Sequence, residues 1–302
     1  MMMSGEKAFK SGLVALVGRP NVGKSTLLNQ FIGEKVAITA TKPQTTRNRI
    51  TGIYTTEEAQ IIFLDTPGIH KPKHKLGQHM VRMAESALEE VDLVLFVVDS
   101  TAPLGGGDRY IAGHFPSLKT PVFLVLNKID LLSPAELARV EAEYSTLYSF
   151  AEVISVSAVT GENLAFLADQ IISYLPEGPQ YYPPDMVTDQ PERFIVAELI
   201  REKVLHLTRE EIPHSIAVEV EEMKEREGKN LILVRANIYV ERDSQKGIII
   251  GRGGHMLKEI GQLARADIER LLGCQVYLEL WVKVRKDWRD SLEALRSFGY
   301  DE

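Results

Sequence analysis

Short apolar runs alternate with helical patterns along the first half of the chain. The apolar runs are Leu13–Val17, Ile61–Leu64, Leu93–Val98, Val122–Leu126 and Val153–Val156. The helical patterns between them are Lys24–Ile32, Leu76–Glu90, Arg109–Phe115, Pro134–Phe150 and Leu164–Tyr174. This alternation predicts an α/β fold with a mostly parallel sheet covered by helices on both faces, and Ile50–Tyr54 adds an edge strand that makes six strands. Ligands of such sheets bind at the carboxyl ends of the strands.

A cluster of prolines separates this pattern from a different one. Five of the 14 prolines fall between residues 176 and 191, where they predict an extended linker. The elements predicted after it are a helix (Glu192–Leu207), a hairpin of two strands (Ser215–Glu221 and Asn230–Val240, joined by 225–229), a glycine-rich helical stretch (Lys246–Leu272), a strand (Gln275–Val284) and an amphipathic helix (Trp288–Leu295). We therefore predict an α/β domain over 1–175, a linker over 176–191 and an α+β domain over 192–302.

The composition narrows the class of protein. The single cysteine, Cys274, excludes an intramolecular disulfide and a cysteine-based metal site, and it fits a reducing compartment. No apolar run approaches the ~20 residues of a membrane-spanning helix, and the polar N-terminus does not resemble a signal peptide, so we expect a cytoplasmic protein. The formal net charge is −7, so a nucleic-acid contact requires a local basic patch. No heptad pattern is visible, and we expect a monomer.

A glycine-rich motif follows the first predicted strand and opens the first helix. It reads Gly18, Arg19, Pro20, Asn21, Val22, Gly23, Lys24, Ser25, with Thr26 next, which is the P-loop pattern in the context that it requires. Backbone N–H groups and the helix N-terminus bind phosphates in such a loop. Lys24 is expected to neutralise the β- and γ-phosphates, and the Ser25 hydroxyl to ligate Mg²⁺.

A second motif, Asp65, Thr66, Pro67 and Gly68, ends the strand Ile61–Leu64. Asp65 is placed to hold Mg²⁺, and the Gly68 N–H to contact the γ-phosphate, so that the presence or loss of this phosphate moves the following loop.

The segment Pro43 to Arg47 lies between the P-loop and this second motif. A threonine in such a segment completes the Mg²⁺ shell when GTP is bound, and we expect Thr46, with Thr45 as the alternative. The predicted metal ligands are thus Ser25, Thr46 and Asp65. The predicted catalytic residues are Lys24, Thr46 and Gly68.

Two further segments indicate which base of a bound nucleotide the site recognises. Asn127, Lys128 and Asp130 follow the strand Val122–Leu126. The Asp130 carboxylate can accept hydrogen bonds from N1–H and the exocyclic amine of guanine, whereas adenine presents an acceptor at N1, so the site favours guanine. Ser157 and Ala158, after the last strand, are expected to donate backbone N–H groups to the guanine oxygen.

These four segments, in this order, resemble the translation-factor-related P-loop GTPases. Asn21 resembles a subgroup in which this asparagine helps to hold K⁺, and the resemblance implies hydrolysis that K⁺ stimulates. Ras-like enzymes carry a glutamine after the glycine of the second motif to orient the attacking water, but this chain has Ile69. We therefore expect slow intrinsic hydrolysis that depends on positioning, Mg²⁺ and K⁺, without a side chain that acts as general base.

The second half carries a helix, G-x-x-G, helix pattern, which is the signature of a KH domain. Glycines in the loop allow close approach to phosphates, and a local excess of cations between 242 and 258 supplies charge. The predicted RNA-binding residues are Lys246, Ile249, Gly251, Arg252, Gly253, Gly254 and Lys258. The structural alternative is an ordinary loop between packed helices, with Ile248, Ile249 and Ile250 in the core.

A G domain followed by a type II KH domain resembles the Era family of bacterial ribosome-assembly GTPases, and the resemblance covers nearly the whole chain. It implies that the chain binds and hydrolyses GTP with Mg²⁺, and that its KH domain binds the 3′ end of 16S rRNA during maturation of the 30S subunit. It also implies peripheral association with the inner membrane, on its cytoplasmic face.

Other residues carry plainer expectations. The run of His70, Lys71, Lys73, His74, Lys75 and His79 is predicted to be a solvated switch loop. His255 is predicted to lie on a helix surface. Trp281 and Trp288 are predicted to pack in the core rather than to stack on bases.

Two alternatives to a GTP-hydrolysing switch stay open at this point. One is an RNA chaperone or structural binder that binds GTP with little turnover, which Ile69 favours. The other is a signalling GTPase whose KH-like domain binds protein.

Overall fold

In a computed structural model of the chain, residues 8–42, 44–69, 72, 74–226 and 230–300 are described. They form two compact units. The first unit contains the described residues within 1–37, 46–71 and 80–189, and the second contains those within 38–45, 72–79 and 190–302. Four residues named above, Pro43, His70, Lys71 and Lys73, lie outside the described residues, as does the hairpin turn at 227–229. The domain boundaries given above stay a prediction.

The first unit is built on a six-stranded sheet in the order β2-β3-β1-β4-β5-β6. The strands are β1 (Lys10–Val17), β2 (Ile50–Thr55), β3 (Ala59–Asp65), β4 (Leu93–Asp99), β5 (Val122–Asn127) and β6 (Glu152–Val156). The edge strand β2 pairs antiparallel with β3, and every other pair is parallel. The predicted sheet, including its edge strand, is therefore confirmed.

The helices of this unit are α1 (Lys24–Ile32), α2 (Lys75–Ser86, of which 80–86 lie in this unit), α3 (Gly106–Ala112), α4 (Pro134–Tyr144) and α5 (Leu164–Tyr174). α1 and α5 have the predicted bounds. α3 begins and ends three residues earlier than predicted, because the Asp108 carboxylate accepts from the Gly105 N–H at its start and Pro116 lies in a 3-10 turn after its end. α2 and α4 end earlier than predicted.

Burial of the strands explains why the polar residues of this unit lie where the strands end. All six residues of β5 and all seven of β3 are buried. Continuous apolar strands of this kind have both faces covered, so polar residues are confined to the positions where the strands end. Asp65, Asp99 and Asn127 occupy the last positions of β3, β4 and β5.

The second unit has a three-stranded sheet in the order β7-β8-β9. Its elements are α6 (Glu192–Leu207), α7 (Ile212–Ser215), β7 (Ala217–Glu225), β8 (Leu231–Val240), α8 (Asp243–Ile250), α9 (His255–Leu272), β9 (Gln275–Val284) and α10 (Leu292–Ser297). β7 and β8 are antiparallel, whereas β8 and β9 are parallel. Its core includes Ile38, Val234, Ile238, Ile260 and Ile268.

Two predicted helices of this unit are divided. The stretch 246–272 is two helices, α8 and α9, because Gly251, Gly253 and Gly254 all have positive φ between them. The final helix is a 3-10 turn at Trp288–Asp290 followed by α10, whose start is capped by the Ser291 hydroxyl. Among the described residues, no helix is both long and apolar enough to cross a membrane.

Candidate nucleotide site and nucleic-acid interface

The P-loop connects the end of β1 to the start of α1, and close packing fixes its shape. A Cβ atom on Gly23, where φ is +104°, would lie 2.2 Å from Asn127 Nδ2, so only glycine fits. Lys24 Nζ donates to the carbonyl oxygens of Gly18 at 3.2 Å and Arg19 at 3.1 Å. Burial lowers the pKa of Lys24 to about 8, against the opposing effect of Asp65. The loop thus holds a buried amine among backbone groups.

Three side-chain oxygens converge beside this amine. Ser25 Oγ donates to Asp65 Oδ2 at 2.5 Å, and Thr46 Oγ1 lies 2.9 Å from Ser25 Oγ and 3.3 Å from Asp65 Oδ2. Asp65 is fully buried, its burial raises its pKa, and its Oδ1 atom makes no hydrogen bond within the described chain. A buried carboxylate beside two hydroxyls is the hard-oxygen donor set that fits Mg²⁺.

The neighbouring Thr45 has different contacts. Its hydroxyl donates to the carbonyl oxygens of Lys42 at 2.6 Å and Ala40 at 3.3 Å. Of the two alternatives, Thr46 is therefore the one whose hydroxyl lies with Ser25 and Asp65.

The second motif packs directly on the P-loop. Thr66 Oγ1 donates to the Leu16 carbonyl at 2.8 Å, and the Ile69 N–H donates to the Gly18 carbonyl at 3.3 Å. A Cβ atom on Gly68 would lie 2.6 Å from the Pro20 nitrogen, so this approach also requires glycine. The Ile69 side chain is buried in the core of the unit, so it offers no group that could orient water.

Asn127 joins three loops of the site. Its Nδ2 donates to the Val22 carbonyl at 2.8 Å, and its Oδ1 accepts from the Ala158 N–H at 3.0 Å. The Ser157 N–H donates to the Glu162 carbonyl at 3.2 Å. The N–H groups of Ser157 and Ala158 thus have partners within the protein, and their expected donation to the base stays a prediction.

The Ser157 side chain has a contact that we did not predict. Its hydroxyl donates to Asp130 Oδ1 at 2.6 Å. This bond fixes one carboxylate oxygen of the residue expected to read guanine.

Asp99 and Asp108 are two further residues of the site that we did not predict from the sequence. Asp99 Oδ2 lies 2.5 Å from Lys128 Nζ, and the fully buried Asp108 pairs with Arg19 of the P-loop at 2.9 Å. The only signal for Asp99 is its position at the end of β4. Both carboxylates hold cations of the predicted nucleotide-binding set.

In the second unit, the loop between α8 and α9 contains three glycines with positive φ. A Cβ atom on Gly251, where φ is +72°, would lie 2.7 Å from Met256 Cβ, so glycine is required there. Gly253 and Gly254 also have positive φ, but a Cβ atom on either would meet nothing within 4 Å. Their backbone is therefore open to a ligand, with the exposed Arg252 beside it.

A groove of about 400 Å³ adjoins this loop, between α9 and β9. Its lining includes Gly254, Leu257, Lys258, Arg265, Tyr277 and Leu280. Apolar and cationic side chains thus share the groove, as single-stranded nucleic acid requires of a binding site.

Ile249 is fully buried in the core, whereas its neighbour Ile248 is exposed, since consecutive helical residues point about 100° apart. The expected contact of Ile249 with RNA stays a prediction. Two other expectations for the second unit are wrong. His79 is buried rather than solvated. Trp281 is 61% exposed, whereas Trp288 is buried as predicted and donates to the Ser215 carbonyl at 2.9 Å.

Two further expectations concern His255 and His74. His255 lies on the surface at the start of α9, as predicted. His74 Nδ1 lies 3.2 Å from Asp290 Oδ2, and the Lys75 N–H donates to Asp290 Oδ1 at 3.1 Å, so the loop before α2 is anchored within the second unit.

Comparisons with known proteins agree with this geometry. The family model of 50S ribosome-binding GTPases matches residues 13–128, and the KH-domain model matches residues 211–289. The chain is a P-loop GTPase with a C-terminal KH domain. It is 58% identical to GTPase Era of Alkaliphilus oremlandii over 97% of this chain and 99% of that protein, and 55% identical to GTPase Era of Alkaliphilus metalliredigens over 97% and 100%. The chain belongs to the Era family of GTPases.

Solved structures of the family have the same fold. An Era variant of Aquifex aeolicus bound to GDP·AlF₄⁻ matches with a TM-score of 0.94 and 47% identity, over 97% of this chain and 100% of that one. An Era complex with MgGDPNP and nucleotides 1506–1542 of 16S ribosomal RNA matches with the same TM-score, identity and coverage.

Proposed function

We propose that this GTPase uses its nucleotide state to control binding of its KH domain to the 3′ end of 16S rRNA during maturation of the 30S subunit. The observation that carries the proposal is the presence in one chain of a preformed hydroxyl–carboxylate set beside a P-loop and of an open G-x-x-G backbone beside a groove. The related Era complex, which contains both MgGDPNP and 16S rRNA nucleotides, supports a protein that binds a nucleotide and rRNA together.

In the nucleotide site, each residue has a distinct task. Lys24 compensates the charge of the β- and γ-phosphates, and Gly68 contacts the γ-phosphate through its N–H. Ser25, Thr46 and Asp65 hold Mg²⁺, which neutralises charge on the phosphate oxygens when bound. The other residues predicted to contact the nucleotide are within 18–26 and 65–68.

The base is read at the carboxyl end of β5. Asp130 accepts from the guanine N1–H and amine, and the Ser157 hydroxyl holds the carboxylate in place at 2.6 Å. Asn127 braces the P-loop and the 157–158 loop together, while Lys128 packs between the P-loop and Asp99.

Hydrolysis proceeds without a glutamine at position 69. The burial of Ile69 supports a mechanism in which positioning and cations lower the barrier, and we propose that Asn21 helps to hold K⁺. Release of phosphate over many turnovers, measured in K⁺ and in Na⁺ for wild type and Asn21→Ala, tests this step. Equal rates of wild type in the two salts would exclude a role for K⁺.

RNA binds along the second unit. Gly251, Arg252, Gly253 and Gly254 clamp the backbone, and Lys246 and Lys258 add charge around the loop. A monomeric state and a cytoplasmic location stay predictions from the sequence, and peripheral contact with the inner membrane stays a prediction from the family resemblance. Sedimentation and flotation with anionic vesicles check the first and last of these.

The decisive experiment measures binding of an RNA copy of the 16S rRNA 3′ end in the presence of a GTP analogue or GDP. We expect tight, salt-sensitive binding with the analogue and weak binding with GDP. The control is Arg252→Glu, which reverses the charge beside the clamp and should bind weakly in both states. Equal affinity of the wild type in both states would exclude control by the nucleotide, and no binding in either would exclude the rRNA target.

A further inference from the structure

The outward face of β9 presents two aromatic rings to solvent. β9 is an edge strand, paired only with β8 among the described strands. Its alternate residues Val276 and Val282 are buried, whereas Tyr277 is 51% exposed and Trp281 is 61% exposed. Tryptophan is highly buried on average, so a ring exposed to this degree on a regular strand suggests a binding surface.

This face is continuous with the groove beside the G-x-x-G loop. Tyr277 is one of the residues that line the groove, together with Leu257, Lys258 and Arg265 of α9. Trp281 lies four residues further along the same face of β9, roughly 13 Å away at the rise of an extended strand. Leu280, the residue before Trp281, also lines the groove. An RNA that turns from the groove around the edge strand β9 therefore meets both rings without crossing to another element.

The charges around the two rings are largely neutralised within the sheet. Arg235 pairs with Glu222 and Glu279, both at 2.6 Å, and Lys283 pairs with Glu221 at 2.8 Å. Beside Trp281 the face therefore offers little free positive charge for phosphates. What it does offer is ring surface: Trp281 is 61% exposed, and the Arg226 guanidinium lies over the Tyr277 ring, 5.6 Å from its centroid.

We propose that Tyr277 and Trp281 form a stacking platform for bases of the single-stranded RNA that leaves the groove. Every base has a π-face, so aromatic rings on a sheet bind RNA with little dependence on its sequence. Because Arg235 and Lys283 already pair with carboxylates, Trp281 adds affinity without adding phosphate contacts. The inference rests on the proposed RNA-binding function and extends its site beyond the G-x-x-G groove.

The test compares two RNAs on the full-length chain. The first has four nucleotides, the length that a G-x-x-G loop clamps, and the second carries about four more at either end. Trp281→Ala should weaken binding of the longer RNA about tenfold and leave the short one unchanged, and Trp281→Phe should retain most of the affinity. Tyr181→Ala, which removes a similarly exposed ring from the first unit, is the matched control.

Two further readouts separate stacking from other roles. The dependence of affinity on salt should have the same slope in wild type and Trp281→Ala, because no phosphate contact is lost. Binding of the longer RNA should quench tryptophan fluorescence in the wild type, and the quenching should disappear in Trp281→Phe, which retains only the buried Trp288.

The outcomes also distinguish the two proposals. If Trp281→Ala binds the longer RNA as well as wild type does, or weakens both RNAs equally, the platform is wrong while the groove stands. If Trp281→Ala binds both RNAs normally but no longer binds a protein partner, the face is a protein interface and the inference is overturned. If neither the wild type nor Arg252→Glu binds either RNA, the proposed RNA-binding function itself fails.

Discussion

Lys128 Nζ lies 2.5 Å from Asp99 Oδ2 and donates to the Asn21 carbonyl at 3.1 Å. One amine thus connects the end of β4 with the P-loop. Partial burial of Asp99 opposes its ionisation, but hydrogen bonds from Lys128 and Thr101 outweigh this effect, and the pKa of Asp99 is lowered. The carboxylate is therefore charged at neutral pH and holds Lys128 in position.

Replacing Asp99 should weaken nucleotide binding. Asp99→Asn retains the shape of the side chain but loses its charge, and we expect the affinity for GDP to fall by roughly tenfold, or about 1.4 kcal/mol. Calorimetric titration with GDP measures the change. Asp169→Asn, at an exposed position of α5, is the control and should bind normally. An unaltered affinity in Asp99→Asn would show that Lys128 needs no partner.

Base specificity should follow Asp130. In Asp130→Asn the amide can donate to the additional oxygen of xanthine, so preference should move from GDP to XDP, with a loss of about 100-fold or more for GDP. Competition between the two nucleotides measures the ratio. Asp130→Ala should bind both weakly, since it removes the side chain without replacing it, and continued preference of Asp130→Asn for GDP would place base recognition elsewhere.

The two threonines of the 44–47 segment should differ in their effect on Mg²⁺. Thr46→Ala removes a hydroxyl that lies 2.9 Å from Ser25 Oγ, so the Mg²⁺ concentration for half-maximal GTPase activity should rise and kcat should fall roughly tenfold. Thr45→Ser retains the hydroxyl bonded to the Lys42 carbonyl and should behave like wild type. A normal Mg²⁺ dependence in Thr46→Ala would exclude it as a ligand.

Nucleotide affinity should decrease at alkaline pH. The pKa of Lys24 is about 8 in the protein without nucleotide, and phosphate charge beside the amine raises it. The complex therefore retains a proton that the free protein loses above pH 8, and GDP affinity should fall by up to about tenfold per pH unit beyond that point.

The measurement is titration with GDP without Mg²⁺ at pH 7 to 9.5, in buffers of different ionisation enthalpy that reveal proton uptake. Lys24→Arg, charged throughout this range, should bind more weakly but with a flat profile. A flat profile in the wild type would mean that Lys24 remains protonated without nucleotide.

A buried ion cluster should stabilise the second unit. Lys203 Nζ of α6 contacts Asp267 of α9 and lies 2.8 Å from Oε2 of the fully buried Glu202. Lys203→Met leaves two carboxylates without this cation, and we expect a loss of about 3 kcal/mol in the free energy of unfolding.

Tryptophan fluorescence during urea unfolding measures this loss, because both tryptophans of the chain lie in the second unit. Lys286→Met, at an exposed position, should change stability by less than about 0.5 kcal/mol. If Lys203→Met were equally harmless, solvent or the neighbouring side chains would be compensating the two carboxylates.

The parts predicted well from sequence are those with a local signal. A buried strand followed by glycines and a lysine specifies both the turn and its ligand, so the bounds of α1 and the place of Asp65 and Asn127 at strand ends follow from short segments. The G-x-x-G loop is similar, since three glycines in one turn require the positive φ values that the loop has.

The parts that could not be predicted depend on what covers a side chain. Trp281 alternates with Val282 in β9, but the sequence does not say which face of the sheet the helices cover. Three consecutive isoleucines on α8 cannot all face a groove, yet only the packing of α8 shows that Ile249 is the buried one. Asp99 lies next to Lys128 only because β4 and β5 are neighbours.

The second unit is assembled from pieces that are distant in the chain, and this has a consequence for its folding. Ile38 packs in its core, the Thr39 N–H donates to Glu202 Oε1 at 2.9 Å, and Arg201 binds the carbonyl of Thr45. During synthesis, residues 38–45 emerge well over a hundred residues before α6, so these partners meet only when the C-terminal part has been made. A nascent chain released early would keep Ile38 uncovered, and a fragment cut near residue 190 would lose these anchors just before Thr46.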